Sequence, residues 1–504
     1  MARDLRTAFL PVLVAAAAFV VQADAAPQSQ SAAIQVQLGN EFLGEGRYVD
    51  AIEAFQRALA GSDPSESRPA RTGLIQSALR LALFDSARIQ SDALLRTMPR
   101  DPDALALNGD ALWASGLFEE AEARYAQALE ISPELPRAHH GVARALAAKS
   151  KLDEAMTEAQ RALKGDPRDG EIHHTIGIIY ERQHKYEEAA NAFSNYVNLL
   201  PNKDRSEKAD WSRSEIKFLR SFGDRVPLEM EPGTENETYT VEFRVVNEKV
   251  VVRAKVNGDR FQEFVVDTGA ENTVLTGSTA RRLNVTPITY TLSAGVGEVG
   301  LRGLQLARID SLELGTLKLR NVPCLVKDPP LRNLPTREME SLSPLSLGFS
   351  MIIDYKTHKI TFGKHLPVEQ ADFELPLRLH RLATVRGTVD GTHAANFVVD
   401  TGGQVISISQ ATATQLGRPE PERKIALKVY GSSGWDRDAF LMQGVDLAFD
   451  SIHFPNYNVV VLNLNAPSAL LGFQVGGIVG HNFLKKYRVA IDLERSVLRL
   501  KDIT

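Results

Sequence analysis

The chain has 504 residues, of which 43% are hydrophobic and 24% charged, and its formal net charge is -5 at pH 7. This composition is typical of soluble globular proteins, and at about 150 residues per domain the length predicts three or four domains. Nothing in it favours a nucleic acid partner, and the single cysteine, Cys324, excludes an internal disulfide.

The N-terminal segment has the order of a secretory signal. Arg3 and Arg6 precede an apolar stretch over residues 8–21, and an A-x-A pattern follows it. The stretch is short for a permanent membrane helix, so the sequence predicts a cleaved signal peptide over residues 1–25. We therefore expect an exported protein, periplasmic or extracellular, without a stable membrane span after signal cleavage.

Residues 31–204 are rich in Ala, Leu, Glu, Gln and Arg, and they repeat with a period of 34. Residues that mark the period are Ala87, Ala121, Ala155, Ala189, Pro99, Pro133, Pro167 and Pro201. This period resembles that of tetratricopeptide repeats, in which each unit is a pair of antiparallel helices. We count five repeats, and a terminal helix from Trp211 is predicted to cover the end of the stack, so that the all-α solenoid and its cap span residues 31–222. Such arrays bind protein partners, and we expect one here.

His140 and His174 occupy equivalent places on the first helices of two repeats, which line the concave face of such arrays. A metal site is one interpretation of this pair. No carboxylate or cysteine completes a ligand set, so polar residues lining a peptide groove are the favoured interpretation, and we expect no metal.

The second half is β-rich and internally duplicated. After a linker over residues 223–238, short runs of Val, Ile, Thr and Leu alternate with Asn-Gly and Asp-Gly turns. The segment VNGDRFQEFVVDTGA from Val256 aligns with VDGTHAANFVVDTGG from Val389. We therefore predict two all-β domains of one kind, over residues 239–366 and 372–504.

Each copy carries an apolar strand that ends in Asp-Thr-Gly, with its acid at Asp267 or Asp400. Two carboxyl groups brought to contact distance do not both ionise readily, so they share one proton. The protonated member can then act as an acid and the ionised member as a base toward a water molecule that attacks a peptide carbonyl. This chemistry requires no metal and no cofactor.

The FVVDTGA and FVVDTGG segments resemble the active-site loops of aspartic proteases, specifically the retropepsin-like bacterial ones. The resemblance implies a pepsin-like pseudo-dimer with Asp267 and Asp400 as the catalytic pair. It also implies that Thr268 and Thr401 hydrogen bond across the domain interface. A further match lies in the apolar-apolar-Gly segment and the Asn of the second copy, which pack behind the aspartate loop in the family. The glycines that support the loops are Gly269 and Gly402. The segment behind the second loop consists of Ile478, Val479 and Gly480, followed by Asn482.

The family closes a glycine-rich β-hairpin flap over an extended peptide or protein substrate, and the sequence offers two candidates. One contains Gly295 and Gly297, and the other contains Tyr430 and Gly431. The first also fits G-x-G-x-x-G, but the residues after it alternate like a strand, which favours a flap over a dinucleotide-binding loop.

The first copy departs from the family pattern. Matched on Leu347-Gly348, its C-terminal segment has no Asn and is a helical turn or two shorter than that of the second copy. We therefore expect weaker packing behind Asp267, and a loop over residues 327–342.

Three hypotheses stay open: an active internal pseudo-dimer, an inactive pair kept for peptide binding, or two chains whose second copies form a dyad. The favoured function is an exported aspartic endopeptidase whose helical repeats recruit substrate or partner. The alternative is a catalytically inactive peptide-binding scaffold derived from such an enzyme.

Ala270 and Gly403 directly follow the two Asp-Thr-Gly motifs. A hydroxyl group at this place could donate to the ionised carboxylate and lower its pKa. Its absence predicts activity nearer neutral pH than that of a stomach-type enzyme.

Overall fold

The structure is a computed structural model that describes residues 28–61, 67–297, 300–328, 338–418 and 425–503. The predicted signal peptide, residues 1–25, lies outside the described residues. Within them, no helix combines the length and hydropathy that crossing a bilayer requires.

The first part of the chain consists of helices that pack against their neighbours in sequence. Their bounds are α1 Gln28–Gly44, α2 Tyr48–Gly61, α3 Arg68–Arg80, α4 Phe84–Thr97, α5 Pro102–Ala114, α6 Phe118–Ile131, α7 Pro136–Ala148, α8 Leu152–Gly165, α9 Gly170–Arg182, α10 Tyr186–Leu199 and α11 Glu207–Arg220. These are five helix pairs followed by one terminal helix, as the 34-residue period predicts.

Glycines on the first helices let aromatic rings of the second helices pack directly on backbone. A Cβ at Gly73 would lie 2.1 Å from the ring of Phe55, and one at Gly141 would lie 2.4 Å from the ring of Tyr125. Both rings are fully buried. Each ring therefore joins its own repeat to the next one, and a side chain at either glycine would push the repeats apart.

The first β-rich copy begins within the segment predicted to be a linker, because the short strand β1 already pairs with this copy. Its elements are β1 Glu229–Met230, β2 Tyr239–Glu242, β3 Arg244–Val246, β4 Lys249–Val256, β5 Gln262–Val266, β6 Thr273–Thr276, α12 Gly277–Arg282, β7 Pro287–Ala294, β8 Leu301–Leu314, β9 Leu317–Lys327, β10 Glu340–Leu342, β11 Ser350–Asp354 and β12 Lys359–Gly363.

The second copy repeats this order with small differences. Its elements are β13 Phe373–His380, β14 Leu382–Val389, β15 His393–Val399, β16 Ser407–Ser409, α13 Gln410–Gln415, β17 Ile425–Ala426, β18 Val429–Gly431, β19 Gly434–Asp436, β20 Phe440–Phe449, β21 Ile452–Leu462, α14 Asn465–Leu471, β22 Gly477–Val479, α15 His481–Leu484, β23 Tyr487–Asp492 and β24 Val497–Asp502.

One sheet joins the two copies. Among the described residues it has 13 strands, and the part that joins the copies runs in the order β13, β24, β23, β11, β12 and β2, so three strands of each copy meet at the β11–β23 pair. At that pair Ile352 lies opposite Ala490, and the strands are antiparallel. The apolar core is continuous through both copies, which fixes them against each other as a pseudo-dimer.

The prediction that the segment behind the first aspartate loop is shorter is wrong, although no helix forms there. Strand β10 lies parallel to β5 in the first copy as β22 lies parallel to β15 in the second, so residues 340–342 match residues 477–479. The segments that follow, residues 343–349 and 480–486, are then equally long. In the first copy a tight turn, closed by the bond from the Gly348 amide to the Leu345 carbonyl, stands in place of α15.

The same finding corrects the prediction of a loop over residues 327–342. Its last three residues form β10, and residues 329–337 lie outside the described residues. The reason for the error is composition. Glu340 and Ser341 are polar where the second copy has Gly477 and Ile478, so the strand carries no hydrophobic pattern that a sequence comparison can match.

Candidate active site

The two aspartates leave equivalent strands in the same way. Asp267 follows β5, and its amide donates to the Leu342 carbonyl at 2.9 Å; Asp400 follows β15, and its amide donates to the Val479 carbonyl at 3.0 Å. Each acid is thus fixed at the end of its strand by the parallel neighbour, β10 or β22. Leu342 and Val479 are buried, so the support behind both loops is apolar and rigid.

The threonines of the two loops form a reciprocal network across the domain interface. Thr268 donates through Oγ1 to the Val399 carbonyl at 2.6 Å and accepts from the Thr401 amide at 3.1 Å. Thr401 donates through Oγ1 to the Val266 carbonyl at 2.6 Å and accepts from the Thr268 amide at 3.2 Å. Both side chains are buried, so each loop is held by the other.

The glycines of the motif place each carboxyl group against the opposite loop. A Cβ at Gly269 would lie 2.5 Å from Cγ of Asp400, and one at Gly402 would lie 2.6 Å from Cγ of Asp267. The same glycines donate their amides to the acid of their own loop, at 3.0 Å to Asp267 Oδ1 and 2.8 Å to Asp400 Oδ1. The structure thus brings together the six loop residues that the sequence singled out.

The two carboxyl groups also interact with each other, and this contact changes the ionisation of Asp267. Burial and the Asp400 carboxylate raise the pKa of Asp267 to about 7, while Lys249 and the Ser341 hydroxyl act in the opposite direction. A pair of this kind retains one proton until the pH approaches that value, which leaves one acid and one base facing the same space.

Ser341 is a functional residue that the sequence did not reveal. Its hydroxyl donates to Oδ2 of Asp267 at 3.2 Å from strand β10. The place directly after the motif, where a hydroxyl group could donate to the acid, holds Ala270, and the polar sequence of β10 gives no signal of a strand next to the acid. The equivalent place in the second copy is Ile478, which has no hydroxyl, so the surroundings of the two acids differ.

The two flap candidates meet at their tips. The first is the β7–β8 hairpin and the second is the β18–β19 hairpin, and the amide of Ser433 donates to the carbonyl of Val296 at 2.9 Å. A Cβ at Gly431 would lie 2.2 Å from the same Val296 carbonyl, and Gly295 and Gly297 contact the second hairpin. Both hairpins line the cavity that contains the two aspartates.

Tyr430 of the second hairpin packs its ring against Trp435, with ring centroids 5.2 Å apart. Its hydroxyl group is buried and has no hydrogen-bond partner among the described residues. A buried hydroxyl group without a partner is costly.

The segment behind the second loop lies where the resemblance implies. Ile478 and Val479 belong to β22, and Gly480 begins the turn that leads into α15. The amides of His481 and Asn482 donate to the carbonyls of Gly403 and Gln404, at 2.8 Å and 2.9 Å. These bonds fix the residues that follow the second Asp-Thr-Gly.

The paired histidines of the solenoid have ordinary structural partners. His140 Nε2 lies 2.8 Å from Thr175 Oγ1, and the ring of His174 packs against the rings of Phe193 and Tyr196. Burial lowers the pKa of His140 and of His174 to about 3. Across the described ranges, no three His, Cys, Asp or Glu side chains are grouped so that they could hold a metal ion.

Comparisons with known proteins identify the two halves of the chain. An aspartyl protease family model matches residues 252–351 and again residues 385–483. Two tetratricopeptide repeat models match residues 36–104 and 112–179. A search of curated proteins gave no match.

Two solved structures illustrate the similarity of each half. A thermophilic tetratricopeptide repeat protein of Thermus thermophilus is 21% identical, over 37% of this chain and 98% of its own, with a TM-score of 0.31. An aspartic proteinase from Irpex lacteus is 12% identical, over 53% of this chain and 97% of its own, with a TM-score of 0.33. The family matches establish that this chain carries tetratricopeptide repeats followed by an aspartyl protease domain in two copies.

Proposed function

We propose that this protein is an exported aspartic endopeptidase that hydrolyses peptide bonds through a water molecule activated by Asp267 and Asp400. The observation that carries the proposal is the contact between the two carboxyl groups, each of which lies against the glycine of the opposite loop. Because both acids belong to one chain, this contact favours an internal pair over a dyad formed between two chains.

The chemistry follows from one proton shared by two carboxyl groups. The ionised carboxylate accepts a proton from the water molecule, whose oxygen forms a bond to the peptide carbonyl carbon. The protonated carboxyl group donates to the carbonyl oxygen as that oxygen gains charge. One carboxyl group then passes a proton to the amide nitrogen while the other takes a proton from a hydroxyl group of the tetrahedral intermediate. The carbon–nitrogen bond breaks, and the pair again holds one proton. The amides of Gly269 and Gly402 keep each carboxyl group oriented throughout.

Export is part of the proposal. Its support is the N-terminal order of two arginines, an apolar stretch and an A-x-A pattern. Fractionation of producing cells, with N-terminal sequencing of the mature chain, tests it. Retention in the cytoplasm with residues 1–25 still attached contradicts it.

A peptide library treated with the purified mature chain tests the activity. We expect cleavage within peptides, inhibition by pepstatin and no effect of a metal chelator. If no peptide is cut between about pH 3 and 8, a range that brackets the ordinary pKa of an aspartate and the raised one, while peptides still bind, the inactive peptide-binding scaffold replaces the endopeptidase.

A further inference from the structure

The helical solenoid is attached to both protease copies. On the second copy, the Gln474 amide donates to the Ala114 carbonyl at 2.8 Å, and the rings of Phe118 and Phe473 pack with centroids 5.1 Å apart. Arg378, which is buried, lies 3.0 Å from Glu122. These contacts come from α5 and α6, in the middle of the solenoid.

The other end of the solenoid packs on the first copy. Phe218 and Phe222, in and just after α11, share a buried apolar cluster with Leu304 and Leu306 of β8. Since β8 also forms one side of the first flap hairpin, α11 packs directly against a strand of a flap. The solenoid therefore spans from one protease copy to the other.

The solenoid also closes on itself. The Asn202 side chain, after the fifth repeat, donates to the Glu45 carbonyl in the first repeat. Arg80 of α3 pairs with Glu171 of α9. The first and second repeats thus contact the fifth, and the concave face becomes the inside of a ring.

The inside of this ring and the catalytic cleft form one cavity of about 3070 Å³. Its wall includes Gln76, His174 and Lys208 of the solenoid together with Asp267 and Asp400. Small-molecule sites typically measure roughly 300–1,000 Å³, so this space is several times larger than a small ligand requires.

The wall of the cavity is formed by hydrogen-bonding side chains on both sides. They include Gln76, Arg168 and Lys208 in the solenoid, and Gln404, Ser407 and Lys428 in the second protease copy. A ligand that spans the cavity therefore meets polar groups of the solenoid and of the protease. A polypeptide presents a donor and an acceptor at almost every residue and suits such a wall.

We propose that the inner face of the solenoid is the far wall of the substrate site, and that the occupant is an extended, unfolded segment of polypeptide. The segment contacts the solenoid at some residues while another part of it lies at the two aspartates. This inference rests on the proposed endopeptidase function and extends it by naming the substrate class. It also assigns the concave face to substrate instead of a folded external partner.

Cross-linking from single cysteines tests the proposal without relying on cleavage. In an Asp400→Asn background, Gln76→Cys and Lys208→Cys place a benzophenone label on the inner wall, and Lys217→Cys places it on the exposed side of the same helix, α11. The native Cys324 is fully buried, so labelling is selective. The probe is reduced, carboxymethylated α-lactalbumin, which stays unfolded at neutral pH.

We expect both inner positions to cross-link to the unfolded probe, with at least ten times the yield of the Lys217→Cys position, and native α-lactalbumin to cross-link at none of them. Equal yields at inner and outer positions would overturn the inference. So would cleavage of short peptides by the active enzyme with no cross-link at either inner position. If no peptide is cleaved but the inner cross-links form, the wall assignment stands and only the endopeptidase function fails.

A kinetic measurement on the active enzyme supplies a second criterion. The label at Lys208→Cys should raise KM for the unfolded probe at least fivefold, and should change kcat/KM for a short peptide less than twofold. The same label at Lys217→Cys should change neither. A label at Lys208→Cys that leaves KM for the unfolded probe unchanged contradicts the proposal.

Discussion

Ser341 donates a hydrogen bond of 3.2 Å to Oδ2 of Asp267, whereas the equivalent neighbour of Asp400 is Ile478. A hydroxyl group that donates to a carboxylate favours its ionised form. The pair is therefore asymmetric, and this bond partly offsets the rise in the pKa of Asp267 that burial and Asp400 cause. The loops themselves, with Ala270 and Gly403 after the motif, give no sign of this asymmetry.

Replacing Ser341 with alanine should raise the pH at which activity is lost on the basic side. The hydroxyl lowers the pKa of Asp267, so its removal raises that pKa, and the pair keeps its shared proton to a higher pH. A hydrogen bond worth about 1 kcal/mol corresponds to a shift of roughly 0.7 pH units. The measurement is the basic limb of kcat/KM against pH.

Ile478→Ala is the matched control, because it shortens the equivalent side chain of the second copy without removing a hydroxyl group. Its basic limb should stay where that of the wild type lies. An unchanged limb in Ser341→Ala, or an equal shift in both variants, would show that the hydroxyl does not act on the pair.

The basic limb of the pH profile should lie near neutrality. Burial and Asp400 raise the pKa of Asp267 to about 7, so the shared proton stays bound as the pH rises and is lost only near that value. Activity should therefore be maximal well above the ordinary range of an aspartate, about pH 3–4, and fall as the pH passes the raised pKa. A profile with its maximum below about pH 3 is incompatible with this arrangement.

Thr268→Val should destabilise the protein. The variant keeps the shape of the side chain but leaves the Val399 carbonyl and the Thr401 amide without a partner in a buried interface. Each unpaired group costs about 1–3 kcal/mol, so we expect a loss of roughly 2–6 kcal/mol in the free energy of unfolding.

Thr268→Ser retains the hydroxyl group and should lose much less stability. Urea unfolding of the two variants, followed by circular dichroism, measures the difference. If Val and Ser variants unfold at the same urea concentration, the reciprocal network does not stabilise the interface.

Gly402→Ala should reduce activity by about a hundredfold or more. The added Cβ would lie 2.6 Å from Cγ of Asp267, so the carboxyl group must move, and a displacement of about 1 Å from reacting geometry costs on this order. Gly44→Ala is the control, since nothing lies within 4 Å of its added Cβ. If Gly402→Ala retained the kcat/KM of the wild type, Gly402 would not lie against the carboxyl group of Asp267.

The loop geometry could be predicted from the sequence because its signals are local. A strand, an acid and a glycine within a few residues define each loop, and the duplication places Asp267 and Asp400 in equivalent settings. The helical repeats could be predicted for a similar reason, since the fixed 34-residue period reflects how each helix pair packs on the next one. Both features are visible without knowledge of distant contacts.

Strand β10 could not be predicted because long-range contacts define it. Glu340 is buried at its start, where its carboxylate accepts from the amide and the hydroxyl of Thr276. Those two bonds compensate for a charged residue at the place of Gly477 in the second copy. A sequence comparison penalises such a substitution. The two copies therefore match better at Leu347-Gly348, and this match makes the segment of the first copy look a helical turn shorter.

The position of the solenoid had no sequence signal either. Phe118 and Phe473 pack against each other although they are far apart in sequence and belong to different domains. Each is an ordinary apolar residue within its own segment. The shared cavity, and with it the role proposed for the concave face, follows only from their contact in three dimensions.

The most direct test of the central claim is kcat/KM for peptide cleavage by Asp267→Asn and Asp400→Asn, measured separately and after the two folded variants are mixed. If one chain supplies both acids, each variant should lose at least about a hundredfold in kcat/KM, since each removes a group that transfers protons, and mixing should restore nothing. Wild-type activity in Asp267→Asn, or recovery on mixing, would contradict an internal pair.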